Sequence, residues 1–125
     1  MVDKLLFIEA GMGIDLHGQD VTAASVRAAK NAIGHNSMPG LSFILPNDGD
    51  LQRMKVHVIL GVPFRADEVD IEQVKSVFPY GSVSVEVRSG GLLASSGILL
   101  PDKGDVSDEL VIVNAVVEVG FDDER

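Results

Sequence analysis

Residues 11–18, Gly-Met-Gly-Ile-Asp-Leu-His-Gly, differ chemically from the rest of the chain. An imidazole and a carboxylate two positions apart point the same way if the backbone there is extended. Such a pair suits general acid–base work, with His17 as acid or base and Asp15 orienting it. The same two side chains could ligate one metal, but zinc sites use three or four protein ligands, so no metal is assigned and no cofactor can be named. Glu9, six residues before Asp15, is a second acid that could join them. Gly11, Gly13 and Gly18 would let the backbone approach a ligand closely and offer N–H groups to an anion. The plainer reading is that the glycines shape a turn and that an Asp15–His17 hydrogen bond fixes the loop.

Arg88, beside Ser89-Gly90-Gly91, is the other ligand-binding candidate. It could hold a carboxylate or phosphate at a subunit boundary, or simply pair with a surface acid. His35 reads as a loop residue, and His57, inside a strand, as satisfying a local hydrogen bond. Named motifs fail on inspection. A dinucleotide fingerprint needs glycine where Leu16 stands, and no Gly-Lys-Ser/Thr run ends a phosphate loop. Ser95-Ser96-Gly97 lacks the first glycine of a nucleophile elbow, and Asp48-Gly49-Asp50 has too few acids for a calcium loop.

Composition narrows the classes further. With 125 residues and 46% hydrophobic content, the chain can bury a core as one domain, residues 1–125, without staples. It has no cysteine, which excludes disulfides, thiolate metal sites and a cysteine nucleophile. The net charge of −9 and the scattered ten basic residues make nucleic acid and anionic membrane poor partners. No apolar run approaches a membrane span or a signal peptide, so a cytoplasmic protein is expected.

These residues need elements to position them. Leu5–Ile8 reads as a strand apolar on both faces, and the glycine-rich segment follows it as a loop. Asp20 sits where an N-cap belongs, before a helix over Val21–Ile33 that Gly34 ends. Its small apolar face (Ala24, Ala28, Ala29, Ala32) suits close packing on a sheet, with Arg27, Lys30 and Asn31 on the polar side. Leu41–Leu45, between two prolines, is at most a short edge strand, and Asn47–Asp50 is a turn. Lys55–Val62 is a second strand. Asp70 and Gln73 resemble a capping box for a short helix presenting Ile71, Val74 and Phe78. Val83, Val85 and Val87 alternate with polar residues in a strand. Leu92–Leu100 and Leu110–Val119 complete three strands expected to form a meander.

The fold expected is therefore α+β, one mixed sheet of about five strands with two helices packed on one face. Two short helices leave the second apolar face uncovered. A second copy of the chain is the simplest cover, so a homo-oligomer is expected.

The run Gly11-x-Gly13-x-Asp15-x-His17-Gly18, with Asn31-Ala32-Ile33 further on, resembles a small family of conserved proteins marked by a G-x-G-x-D-x-H-G signature. The resemblance implies one domain of about this length, directs attention to Asp15 and His17, and names no substrate. The strand–helix order is also similar to trimeric folds of the chorismate-mutase and YjgF-like kind, whose ligands sit between subunits. Three functions follow as expectations: an enzyme acting on a small polar metabolite at the Gly/Asp/His segment, a non-catalytic homo-oligomeric metabolite-binding module, or a structural oligomer.

Overall fold

A computed structural model describes residues 2–122 of the chain. Its first strand, β1 (Lys4–Asp15), is three times as long as the sequence pattern suggests. The expected glycine-rich loop is a correction: Gly11 and Gly13 lie within the strand. Both pair with the last strand, β5 (Glu109–Phe121), through Gly11↔Ala115 and Gly13↔Val113. They lack side chains because helix α1 (Val21–Ile33) lies directly on them. A Cβ on Gly11 would collide with the backbone of Ala28 and Ala32, and one on Gly13 with that of Ala24 and Ala28. Those alanines are 0–2% exposed, so helix and strand meet backbone to backbone.

Helix α1 begins and ends at the expected residues. Asp20 caps its start, its carboxylate accepting from Ala23 N at 3.0 Å. Gly34 ends it with φ −84°, so the stop is a tightened turn and not the left-handed cap that glycine there suggests. Leu41–Ile44 is one helical turn where an edge strand was the expectation. Between its two prolines the local bonds of Leu45 N to Leu41 O and of Phe43 N to Gly40 O win over any sheet partner. Asn47–Asp50 turns as expected, with positive φ at Asn47, Asp48 and Gly49.

The sheet is mixed and five-stranded, ordered β1-β5-β2-β3, where β2 is Lys55–Val62 and β3 is Ser82–Ser89. Strand β4 (Leu92–Ser95) pairs with the start of β5. From β2 the chain crosses through the short helix Ile71–Lys75, so β3 lies parallel to β2. Of the meander expected for the last three strands, β4 and β5 do pair antiparallel, but β3 pairs with β2 and not with β4, because Gly90 and Gly91 fold tightly over Gly61 and carry the chain away from β3 to β5. Gly97 and the residues after it leave the sheet, which cuts the expected Leu92–Leu100 strand to four residues.

Alternation then divides the sheet into two faces. Val56, Val58, Leu60 and Val62 from β2, with Val111, Val113, Val117 and Val119 from β5, are 0–4% exposed and form the core under α1. On the opposite face the pairs Ile8↔Glu118↔His57↔Ser84, Ala10↔Val116↔Ile59↔Glu86 and Ile14↔Ile112↔Leu92 run in rows across the strands. Leu5 and Ile8, expected to be covered on both sides, are 46% and 57% exposed in the chain by itself.

The outer edge of β1 is blunted by the polar side of α1. Met12 N donates to Asn31 Oδ1 at 3.0 Å, and Arg27 Nη1 donates to Ile14 O at 2.7 Å. Side chains thus take backbone groups that would otherwise invite another strand. Replacing Gly13 by Ala tests the close approach. Thermal denaturation should show a loss of about 3 kcal/mol or more, at or beyond the upper end of ordinary overpacking, because the obstructing atoms are backbone. A Gly13→Ala variant as stable as the parent would refute it.

Candidate functional site

Strand β1 ends at Asp15, and the chain turns into α1 through Gly18 (φ +99°) and Gln19 (φ +51°). His17 stands in this turn, but Asp15 does not orient it. Asp15 Oδ2 accepts from Asp20 N at 2.8 Å, and Oδ1 takes Arg27 Nη1 at 3.0 Å. The carboxylate that holds the ring is Asp105, 88 residues away, with His17 Nδ1 2.7 Å from Asp105 Oδ2. Asp15 lies on the helix side of the strand with Gly11 and Gly13 and stitches the strand end to the helix start.

Asp105 is a hub. Its side chain has no solvent exposure, yet it accepts four hydrogen bonds. Oδ1 takes Gly18 N at 2.6 Å and Gln19 Nε2 at 3.0 Å, while Oδ2 takes Leu100 N at 2.9 Å besides His17. Burial alone would raise its pKa. The N–H groups of Leu100 and Gly18, then His17 and Gln19, outweigh burial and hold the carboxyl well below the ordinary range. An ionised carboxylate only accepts, so His17 Nδ1 carries the proton and its ring orientation is fixed. Nε2 makes no hydrogen bond among the described residues, and the side chain is 21% exposed.

Gln19 completes the clasp. It is 4% exposed; its Nε2 also reaches Ser107 O and Glu109 O, and its Oε1 accepts from Val106 N at 3.1 Å. A non-glycine residue at positive φ is strained, and these bonds hold it there. Sequence reasoning missed both Asp105 and Gln19 as partners of His17. The signal lay in the loop Pro101–Asp108, whose several acids gave no reason to single out the one that is buried.

The remaining candidates scatter. Gly11 and Gly13 are covered by α1 and their backbone faces no ligand space; Gly18 spends its N–H on Asp105. Glu9 shares their side of β1, but near the other end of the helix, apart from Asp15 and His17. Arg88 lies on the opposite face of the sheet, its guanidinium bonded to Glu86. There His57 bridges Ser84 Oγ (2.7 Å) and Glu86 Oε1 (3.1 Å), the local satisfaction expected of it. Arg88 and then His57 lower the Glu86 pKa. With Ile59 and Glu118, the residues His57, Glu86 and Arg88 line a shallow hollow of about 260 Å³. His35 accepts from Asn31 in the loop after α1. Among the described residues no three potential ligands cluster as a metal site, and no helix is long and apolar enough to cross a membrane.

A mixed five-stranded sheet, one long helix seated on glycines and a buried Asp–Gln–His clasp place the molecule among α+β proteins without a motif of assigned chemistry. The chain belongs to a family of conserved hypothetical proteins, Lin0512_fam, whose sequence model matches residues 5–119. It is similar to a solved structure from Nostoc punctiforme described as an FtsZ-like protein of unknown function. The two are 37% identical, with a TM-score of 0.83 over 98% of this chain and 99% of that one. No curated protein matches the chain.

Asp105 gives the clasp a pH signature. Its folded pKa lies below the unfolded value of about 3.9, so as acid is added the unfolded chain takes the proton first. The stabilisation is complete above about pH 4 and is lost as pH falls through the folded value. An Asp105→Asn variant should melt several degrees lower than the parent at neutral pH, and the gap should shrink progressively below pH ~4. Melts followed by circular dichroism check this; a gap independent of pH would show that the charge is not what the clasp uses.

Proposed function

We propose that the protein works as a homo-oligomeric metabolite-binding module whose subunits join through the open face of the sheet. The observation that carries the assembly is the make-up of that face. Ile8, Met12, Ile14 and Leu92 are 57%, 45%, 37% and 56% exposed, and Leu16, just beyond β1, is 56% exposed. Together these side chains leave roughly 500 Å² of apolar surface, near the top of what monomers expose.

A second copy is the occupant that fits. A stable interface buries about 800 Å² per partner, and the polar corner adjoining the apolar strip supplies the remainder. That corner carries both signs, Glu86 and Glu118 beside Arg88 and His57, so a twofold contact lets each charge meet its opposite. Arg88 then lies at the subunit boundary. Covering this face also removes the apolar exposure that two short helices leave.

One observation favours an enzyme instead: His17 has its Nδ1 held by a buried carboxylate and its Nε2 free among the described residues. That is the arrangement of an oriented general base. Loss of a metabolite conversion in His17→Ala, with folding intact, would support this second reading.

Light scattering on a sizing column should show an oligomer at about 10 μM, and Ile8→Lys should dissociate it by placing a charge in the contact. A monomeric parent would overturn the assembly.

A further inference from the structure

Under the core face lies a cavity that none of these readings uses. Strand β1 and α1 run in opposite directions, so Gly13 meets Ala24 and Ala28, and Gly11 meets Ala28 and Ala32. One step further along, Glu9 would meet residue 36, but the helix stops at Ile33. The helix therefore ends before it can cover Glu9. The space left is a cavity of about 170 Å³ that Asn36 and Glu9 help to line.

Glu9 is unusual in this setting. It is 8% exposed, and among the described residues its carboxylate has neither a hydrogen bond nor an ion pair. Around it the walls are apolar and partly aromatic, including Phe7, Ile33, Met38, Phe78 and Tyr80. No buried side-chain polar atom among the described residues lacks a partner, so the Glu9 oxygens keep contact with solvent at the cavity, where an entering cation or donor would meet them. Aromatic faces near a carboxylate are the surroundings in which ammonium groups are recognised. The volume matches a ligand of about one aromatic ring, since cavities of about 150 Å³ hold benzene. Two neighbouring hollows share Met38 and Leu41 with it, so a longer apolar substituent has wall to follow. The net charge of −9 draws cations toward the molecule.

We propose that this cavity binds a small organic ammonium compound, its cation on Glu9 and its aromatic or branched alkyl body against Phe7, Ile33 and Phe78. This names the ligand class and the site for the metabolite-binding half of the proposed function, and it does not depend on how subunits assemble.

Benzylamine and benzyl alcohol are the probes, titrated into the full chain by calorimetry and followed by protein NMR. Benzylamine should bind saturably and perturb residues around Phe78 and Tyr80. Benzyl alcohol, alike in shape but uncharged, should bind at least about tenfold more weakly. In Glu9→Gln the preference for the amine should vanish. Equal binding of the two probes to the parent, no saturable binding of either, or an undiminished preference in Glu9→Gln would each overturn the proposal. The parent comparison decides even if Glu9→Gln fails to fold. Light scattering on the same samples separates the two claims: an oligomer that ignores benzylamine removes the ligand proposal alone, and a monomer that binds it removes the assembly alone.

Discussion

The contact between α1 and β1 governs the rest of the structure. Four residues of helix rise about 6 Å, and two residues of strand advance nearly the same distance, about 6.7 Å. A Gly-x-Gly strand can therefore face an Ala-x-x-x-Ala-x-x-x-Ala helix in register, and Gly11 and Gly13 do so opposite Ala24, Ala28 and Ala32. With no side chain on one surface and a methyl on the other, the backbones approach until nothing larger fits. That closeness brings Asn31 and Arg27 within reach of the β1 edge. It also brings Asp20 N to Asp15, closing the strand–helix turn.

The turn itself costs energy that the clasp offsets. Gly18 takes a positive φ freely, but Gln19 does not. Its amide is held on both sides, donating to Asp105, Ser107 and Glu109 and accepting from Val106. Asp105 stays ionised although buried because the four donors that converge on it outweigh the desolvation. The segment before β5 is thereby fastened to the segment after β1, the two strands already paired along their length. His17 is one of those donors, so its orientation is a consequence of the same fastening whatever else the ring does.

Local signals were legible where they act locally. Helix α1, its Asp20 cap, the β2 strand and the alternation of β3 all follow from period and capping chemistry within a few residues. Asp70 accepts from Glu72 N and Gln73 N as a capping residue should, although its own N–H goes to Thr22 and not to Gln73. The glycines were visible but ambiguous, because a close backbone approach looks the same in sequence whether the visitor is a ligand or a helix. The alanine spacing in α1 was the clue that decides between them. Asp15 and His17 looked like a pair because of proximity in sequence, while the true partner of His17 is set by a contact across 88 residues. Nothing in the local pattern distinguishes Asp105 from Asp102 or Asp108. The same limit hid the strand order, since the pairing of β3 with β2, and not with β4, depends on where a glycine turn aims the chain.

The two faces of the sheet pose different physical problems. On the helix side, packing is so close that one helical turn too few leaves a hole with an acid in its wall. An apolar residue at position 9 would close over that space and leave no charge in its wall. Glu9 keeps the cavity polar at one point, which gives it a preference for what enters. On the open side the problem is reversed: apolar side chains face outward beside a hollow that is only shallow. A flat surface of that kind gains by meeting another flat surface, whereas a small molecule would cover little of it. The chemistry of a ligand and the chemistry of a partner thus fall on opposite sides of the same five strands.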